Sequence, residues 1–247
     1  INKGYIWPMK YREIFIFIAG MTPQIITETL YALHFKKPPV HPDGLFILTT
    51  CVGKEKIENE LLENGRLKTF YKEFGIKPAL PEIFVVADSK GNPLKDIRTE
   101  KDNENLGDFI VNFIRGKTTD KGARLHCSIA GGRKTMSFYL GSALSLFGRS
   151  WDKLYHVLVT PEFESHPDFY WKPQKDRILE VKGHDCKTIK KLNTKNAEIS
   201  LAELPFIRLK DKFDLSGKGF KELVGEGQRE IDTASAQMPL KVNLKER

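Results

Sequence analysis

Between Glu13 and Val159 the chain repeats one pattern: a short run apolar at successive positions, then a longer stretch apolar only at helical spacing. The short runs are Glu13–Ile18, Leu45–Thr50, Glu82–Ala87, Arg124–Ile129 and Lys153–Val159. They are rich in Ile, Val, Phe and Leu, as strands covered on both faces are. Between them, Thr22–Phe35 carries Ile25, Ile26, Leu30 and Leu33 on one helical face. Gly53–Phe74 carries Ile57, Leu61, Leu67 and Phe70, and Asn103–Arg115 carries Leu106, Phe109, Ile110 and Phe113. Arg133–Phe147 is apolar nearly all round, which predicts a buried central helix. Such repetition demands right-handed crossovers and a mostly parallel sheet with helices on both faces. The expected fold is therefore a Rossmann-like, doubly wound α/β domain with strand order 3-2-1-4-5. Strands one and four are then neighbours at the reversal point, and ligands bind outside the carboxyl ends of strands there.

Two strand-to-helix corners follow those two strands. The first is Gly20-Met21-Thr22-Pro23-Gln24. Gly20 permits a tight turn, Thr22 is a plausible N-cap and Pro23 suits a first helical turn. The second is Ser128-Ile129-Ala130-Gly131-Gly132-Arg133-Lys134-Thr135. Its glycines let a ligand approach the backbone, while Arg133 and Lys134 sit at a helix end whose dipole prefers negative charge. Cations at a positive end make sense if an anion arrives between them. Bare amides at such an end hold phosphate, so two corners suggest a ligand with more than one phosphate. The second corner fits neither GxxxxGK[ST] nor GxGxxG, which argues against a Walker A loop and against a dinucleotide cofactor. A third stretch, Asp88–Thr99, reads either as a lid carrying Asp96, Arg98 and Thr99 over the crevice or as a solvated loop ending in a helix cap.

The rest of the chain narrows the setting. Of 247 residues, 40% are hydrophobic and 29% charged, an ordinary globular mixture, and the net charge of +8 favours polyanionic partners. Cys51, Cys127 and Cys186 form no CxxC pair, and their odd number fits a reducing, cytoplasmic setting rather than a disulfide framework. Cys51 and Cys127, inside apolar runs, read as buried small hydrophobes. His126 reads as a packed core histidine, and His156, His166 and His184 lack metal-ligand spacing. No run approaches the ~20 apolar residues of a membrane span, and the opening INKGYIWP lacks the apolar segment of a signal peptide. Met9 reads as a start, with the first eight residues upstream of the fold. Thr160–Val181 is rich in Pro, His and aromatics and Thr194–Leu209 alternates like strands, so an antiparallel extension is expected. The domain reading is a Rossmann-like domain over 9–160, its β extension over 161–210, and a charged helical tail or linker over 211–247. The ending Leu244–Arg247 carries no stop signal, which leaves room for a further domain.

IFIFIAGMTPQIITETLYAL, DIRT at Asp96–Thr99 and SIAGGRKTMSFYLGSALSLFGR resemble the CARF family, the CRISPR-associated Rossmann-fold sensors, and most of all its ring-nuclease branch. The likeness covers about Ile14 to Val159 and weakens toward Leu209. It implies a homodimer that binds cyclic oligoadenylate, usually cyclic tetra-adenylate, and cuts the ring without a metal or other cofactor to switch off type III CRISPR signalling. No membrane and no long nucleic acid are required. In the implied mechanism a ribose 2′-hydroxyl attacks its own 3′-phosphate, Lys134 supplies charge assisted by Arg133, and Thr22 orients ribose or phosphate. Thr22 stands where the family often has Ser, and its β-branch is stiffer. Expected ligand contacts are Gly20, Met21, Gln24, Thr50, Asp96, Arg98, Thr99, Ser128, Ala130, Gly131, Gly132 and Thr135. The alternatives are a sensor domain that binds the ring without cutting it and, from the charge, a regulator that binds long nucleic acid with steep salt dependence.

Overall fold

The computed structural model describes residues 10–237 except 165, 184–186, 211 and 214; His184, Cys186, the first eight residues and the Leu244–Arg247 ending lie outside the described residues. Five parallel strands, β1 (Arg12–Ile18), β2 (Gly44–Thr49), β3 (Pro81–Val85), β4 (Ala123–Ser128) and β5 (Lys153–Val159), lie in the order 3-2-1-4-5. A further strand, β8 (Ile199–Glu203), pairs antiparallel with β5 at the sheet edge. The fold is the Rossmann-like α/β architecture that the alternation demanded. β1 shows why both faces had to be apolar. Phe15 and Phe17 face one core cluster, and Ile14, Ile16 and Ile18 face the other. Each fully buried side chain of this size contributes about 1.5–3 kcal/mol.

Helices cover both faces. On one, α4 (Glu100–Lys117) and α5 (Lys134–Phe147) pack Leu106, Ile110 and Ile114 with Leu140, Ala143 and Leu144. The final helix, α6 (Phe220–Gln237), adds Leu223 to the same cluster. On the other face lie α1 (Gln24–His34), α2 (Cys51–Ile57) and α3 (Arg66–Phe74). Two expectations are corrected here. The stretch Gly53–Phe74 is not one helix: α2 runs into a π-helical turn over Glu58–Glu63, and the chain breaks at Gly65, whose φ of 64° is left-handed. Apolar spacing continues across the break, so periodicity alone could not locate it. Nor is α5 buried all round, because Phe138 is 61% exposed and Thr135 and Lys134 are also at the surface.

After β5 the chain doubles back over α1. Thr27 Oγ1 donates to the Tyr170 carbonyl at 2.7 Å, and Trp171 Nε1 donates to Glu73 at 2.9 Å. The hairpin β6 (Ile178–Lys182) and β7 (Thr188–Asn193) then closes a small third cluster with Phe163 and Phe169. With β5, β8 and this strap around it, α1 keeps even Gln24, Thr27 and Glu28 buried.

Candidate functional site

At the carboxyl edge of the parallel strands the two corners touch. β1 and β4 pair in register, Phe17 opposite Ser128, so the turns that follow emerge side by side. A methyl group built on Gly20 would lie 3.3 Å from the Gly132 Cα, which means the two backbones are in contact there. The third turn joins them: a methyl on Gly53 would sit 3.4 Å from the Gly20 Cα. Gly132 has φ 72°, a conformation that L side chains rarely adopt. Sites more than 100 residues apart in sequence thus form one surface.

Four helices start at this edge, and their first turns differ. Thr50 caps α2, accepting from Gly53 N at 3.4 Å, and the loop carbonyls of Leu94 and Lys95 accept from Cys51 N and Val52 N. Thr99 caps α4 in a reciprocal pair with Asp102. These two hydroxyls are occupied by capping, so Thr50 and Thr99 hold their helices rather than face the cleft with free groups. By contrast, α1 begins at Pro23 and α5 at Arg133, and neither N-cap side chain accepts from its own helix, although the Arg133 N–H donates to Met136 Sδ at 3.4 Å. Thr22 is therefore not the N-cap that its sequence position suggested. The first amides of a helix have no intrahelical acceptor. The two helix starts without an N-cap side-chain acceptor are the two at the glycine contact; in both the third amide bonds the N-cap carbonyl, Ile26 to Pro23 and Met136 to Arg133, and the first residues of α1 are buried.

The charges are arranged unequally. Arg133 donates from Nε and Nη2 to Asp96 at 3.0 and 2.5 Å, and Arg98 Nε reaches the same carboxylate at 3.2 Å. Arg133 holds the Asp96 carboxyl down at about 2, so it is ionised at any ordinary pH. Arg133 therefore does not await an external anion, as its place beside Lys134 had suggested: the chain supplies one in Asp96. The loop after β3 does reach the second corner, through this pair. Lys134 is exposed and has no ion pair among the described residues. Ser128 does not reach the cleft; it is 1% exposed and its Oγ lies 3.4 Å from Thr29 Oγ1. Gly131 is buried, while Gly132 and Thr135 are exposed and Met21 is 60% exposed.

Beside the first corner is a cavity of ≈ 160 Å³ that sequence reasoning missed. Thr22, Gln24, Ile25, Glu28, Ala130, His156–Val159 and Glu164 line it. Burial, with Glu164 nearby, pushes the Glu28 carboxyl up to about 8. Gln24 Oε1 and His156 Nδ1 are buried without a hydrogen-bond partner. The available signal was that Gln24, Thr27 and Glu28 recur on a helix whose other positions, Thr29 and His34 apart, are apolar or aromatic. Cys127 is fully buried, with its thiol pushed well above its usual value by burial, but Cys51 is only half-buried at the start of α2. Among the described residues, no helix is long and apolar enough to cross a membrane, and no three His, Cys, Asp or Glu side chains converge as metal ligands would.

Comparison with known proteins adds a family. The sequence model of Cas_NE0113, CRISPR-associated protein NE0113, matches residues 22–234 and so takes in the helix after each corner. No curated protein matches the chain. One solved structure similar in part is described as a UDP-N-acetylglucosamine 2-epimerase from Listeria monocytogenes. It is 15% identical with a TM-score of 0.30, over 55% of this chain and 29% of that one.

Proposed function

We propose, on the premise that this chain belongs to the CRISPR-associated protein NE0113 family, that it is a ring nuclease acting on a cyclic oligoadenylate, with cyclic tetra-adenylate as its substrate. The observation that carries this reading is the contact of Gly20 with Gly132, which sets side by side two helix starts whose N-cap residues offer no side-chain acceptor. Successive phosphates of one ligand can then meet successive amide clusters. Lys134, exposed at the second start, supplies mobile positive charge where a phosphodiester would lie.

Cleavage in this reading is internal to the RNA. O2′ attacks its neighbouring phosphorus, the P–O5′ bond breaks, and the ends become a 2′,3′-cyclic phosphate and a 5′-hydroxyl. The proton that leaves O2′ is returned at O5′ through solvent. Lys134 and the α5 amides stabilise charge on the non-bridging oxygens, and the Thr22 corner holds the ribose in line. A homodimer gives a ring of equal nucleotides two equal half-sites.

The test is incubation of the full chain with labelled cyclic tetra-adenylate in EDTA, followed by product separation. Linear products ending in 2′,3′-cyclic phosphate are expected, with the rate falling about 10²–10³-fold in Lys134→Ala. A second reading, a sensor that binds without cutting, draws on the Asp96–Arg133 pair, which occupies one of the two cations. It predicts a bound but intact ring. Absence of binding refutes both.

A further inference from the structure

We propose that the cavity at the amino edge of the sheet, on the pole opposite the glycine contact, binds single-stranded nucleic acid, with Lys121, Arg208 and Lys212 on its phosphates and an apolar floor under its bases. The proposal does not depend on the function proposed above.

The cavity, ≈ 670 Å³, lies where β4 and β5 begin. Three connections meet there: Lys121 on the turn before β4, Gly148–Trp151 between α5 and β5, and the segment from Phe206 to Lys212 after β8. Leu209 N donates to the Ser145 carbonyl at 2.8 Å, which ties that last segment to α5.

No carboxylate among the described residues lines the cavity. The nearby ones are neutralised within the chain: Asp152 is buried and held by Arg149 at 2.8 Å, and Asp120 pairs with Arg12. The cations divide into two groups. Arg149 and Lys210 hold the end of α4, both donating to the Thr118 carbonyl, at 3.4 and 3.0 Å. That is an ordinary use of a cation at a helix C-terminus. Lys121, Arg208 and Lys212 are exposed and have no ion pair among the described residues. In sequence, the stretch 208–212 sets three cations against one carboxylate, Asp211. A concavity lined by one sign of charge focuses its field and concentrates the opposite ion.

The floor selects among polyanions. Trp151 and Phe206 line it, and Ile207 is 74% exposed beside them. Both rings are held in place. Trp151 stacks on Tyr11 at 5.5 Å and donates to the Ala123 carbonyl at 3.0 Å. Phe206 packs on Gly148, where a methyl would meet its Cε2 at 2.8 Å. Aromatic and apolar surface set among unpaired cations is what an unpaired strand uses, bases on the rings and phosphates on the charges. A duplex keeps its bases stacked inside, and an acidic peptide has none.

Fluorescence anisotropy of the full chain with a short labelled oligouridylate tests this. Log K against log salt should have a slope of about −2, as for three phosphates on a single strand. Arg208→Gln should flatten that slope by about 0.7. The triple variant Lys121→Gln/Arg208→Gln/Lys212→Gln should bind roughly 10- to 100-fold more weakly at low salt, while melting at the wild-type temperature. Unlabelled oligouridylate should displace the label; polyglutamate and duplex of equal charge should not. Unchanged affinity in the triple variant together with an unchanged slope in Arg208→Gln overturns the site. So does equal displacement by polyglutamate, which would make it a general anion sink. Displacement by cyclic tetra-adenylate, or loss of binding in Lys134→Ala, would put the strand in the cleft and overturns it as well. Ring cleavage by the triple variant should match the wild type, so failure of either proposal leaves the other standing.

Discussion

Gly132 shows how much a single position carries at this site. It holds φ 72°, and a methyl there would meet Ile18 Cγ2 at 2.7 Å and Met136 Sδ at 2.8 Å. Gly91 has a similar φ of 86° with nothing within 4 Å. Both Ala variants pay the backbone strain, but only one adds a collision. Gly132→Ala is expected to cost about 2–3 kcal/mol and Gly91→Ala about 1 kcal/mol in urea denaturation. Equal losses would mean that the corner is not packed as described. The glycines, Lys134 and Arg133 were legible in the sequence because their types have few other uses at a strand end. The Asp96–Arg133 pair was not, since the sequence gives no distance between residues 37 apart. Glu28 was missed for a related reason: a carboxylate on a helix is ordinarily solvated, and here β5 and the loop that follows it enclose it.

At the scale of elements, β1, β4 and β5 are locked at the edge opposite the site. Glu13 accepts from His126 Nε2 at 2.7 Å and from Arg124, and His126 Nδ1 lies 3.2 Å from Tyr155 Oη. Burial alone would raise the Glu13 carboxyl, but the hydrogen bonds from His126 and Arg124 overturn that and leave it at about 2. A carboxyl lowered by folding adds stability that is full above its unfolded value of 4.5 and is lost as pH falls toward 2. The expected contribution is on the order of 2–3 kcal/mol. Glu13→Gln should lower stability at pH 7 by about that much and flatten the wild-type decline between pH 5 and 3, measured by chemical denaturation. A parallel decline in both proteins would assign the acid sensitivity elsewhere. Strand positions in this sheet were readable from the sequence to within a residue or two, because burial on both faces leaves little freedom of composition. Helix breaks were less so, as Gly65 shows.

Across the whole molecule, the strand order and the crossing point were set by the βα repeat, and the edge strand β8 could be anticipated only as part of an antiparallel extension. What the repeat could not convey is which surface meets another copy. On the ring-nuclease reading, the exposed side of α5 carries Lys134 and Thr135 beside Phe138, and Phe138 contacts Phe220 of α6. That face is expected to adjoin the two-fold axis. Light scattering should give twice the mass of the 247-residue chain, and Phe138→Glu should return a folded monomer that has lost ring binding. A monomeric wild type that still cuts the ring would remove the symmetry argument.

The clasp between Asp96 and Arg133 has a consequence for how a ligand could arrive. A phosphodiester that takes the guanidinium must evict a carboxylate, so entry there is an exchange of one anion for another. The evicted group is anchored in the segment joining β3 to α4, whose Leu94 and Lys95 carbonyls also hold the first amides of α2. Seating the nucleotide and unfastening that segment would then be the same event, and news of occupancy would leave the cleft along the chain itself.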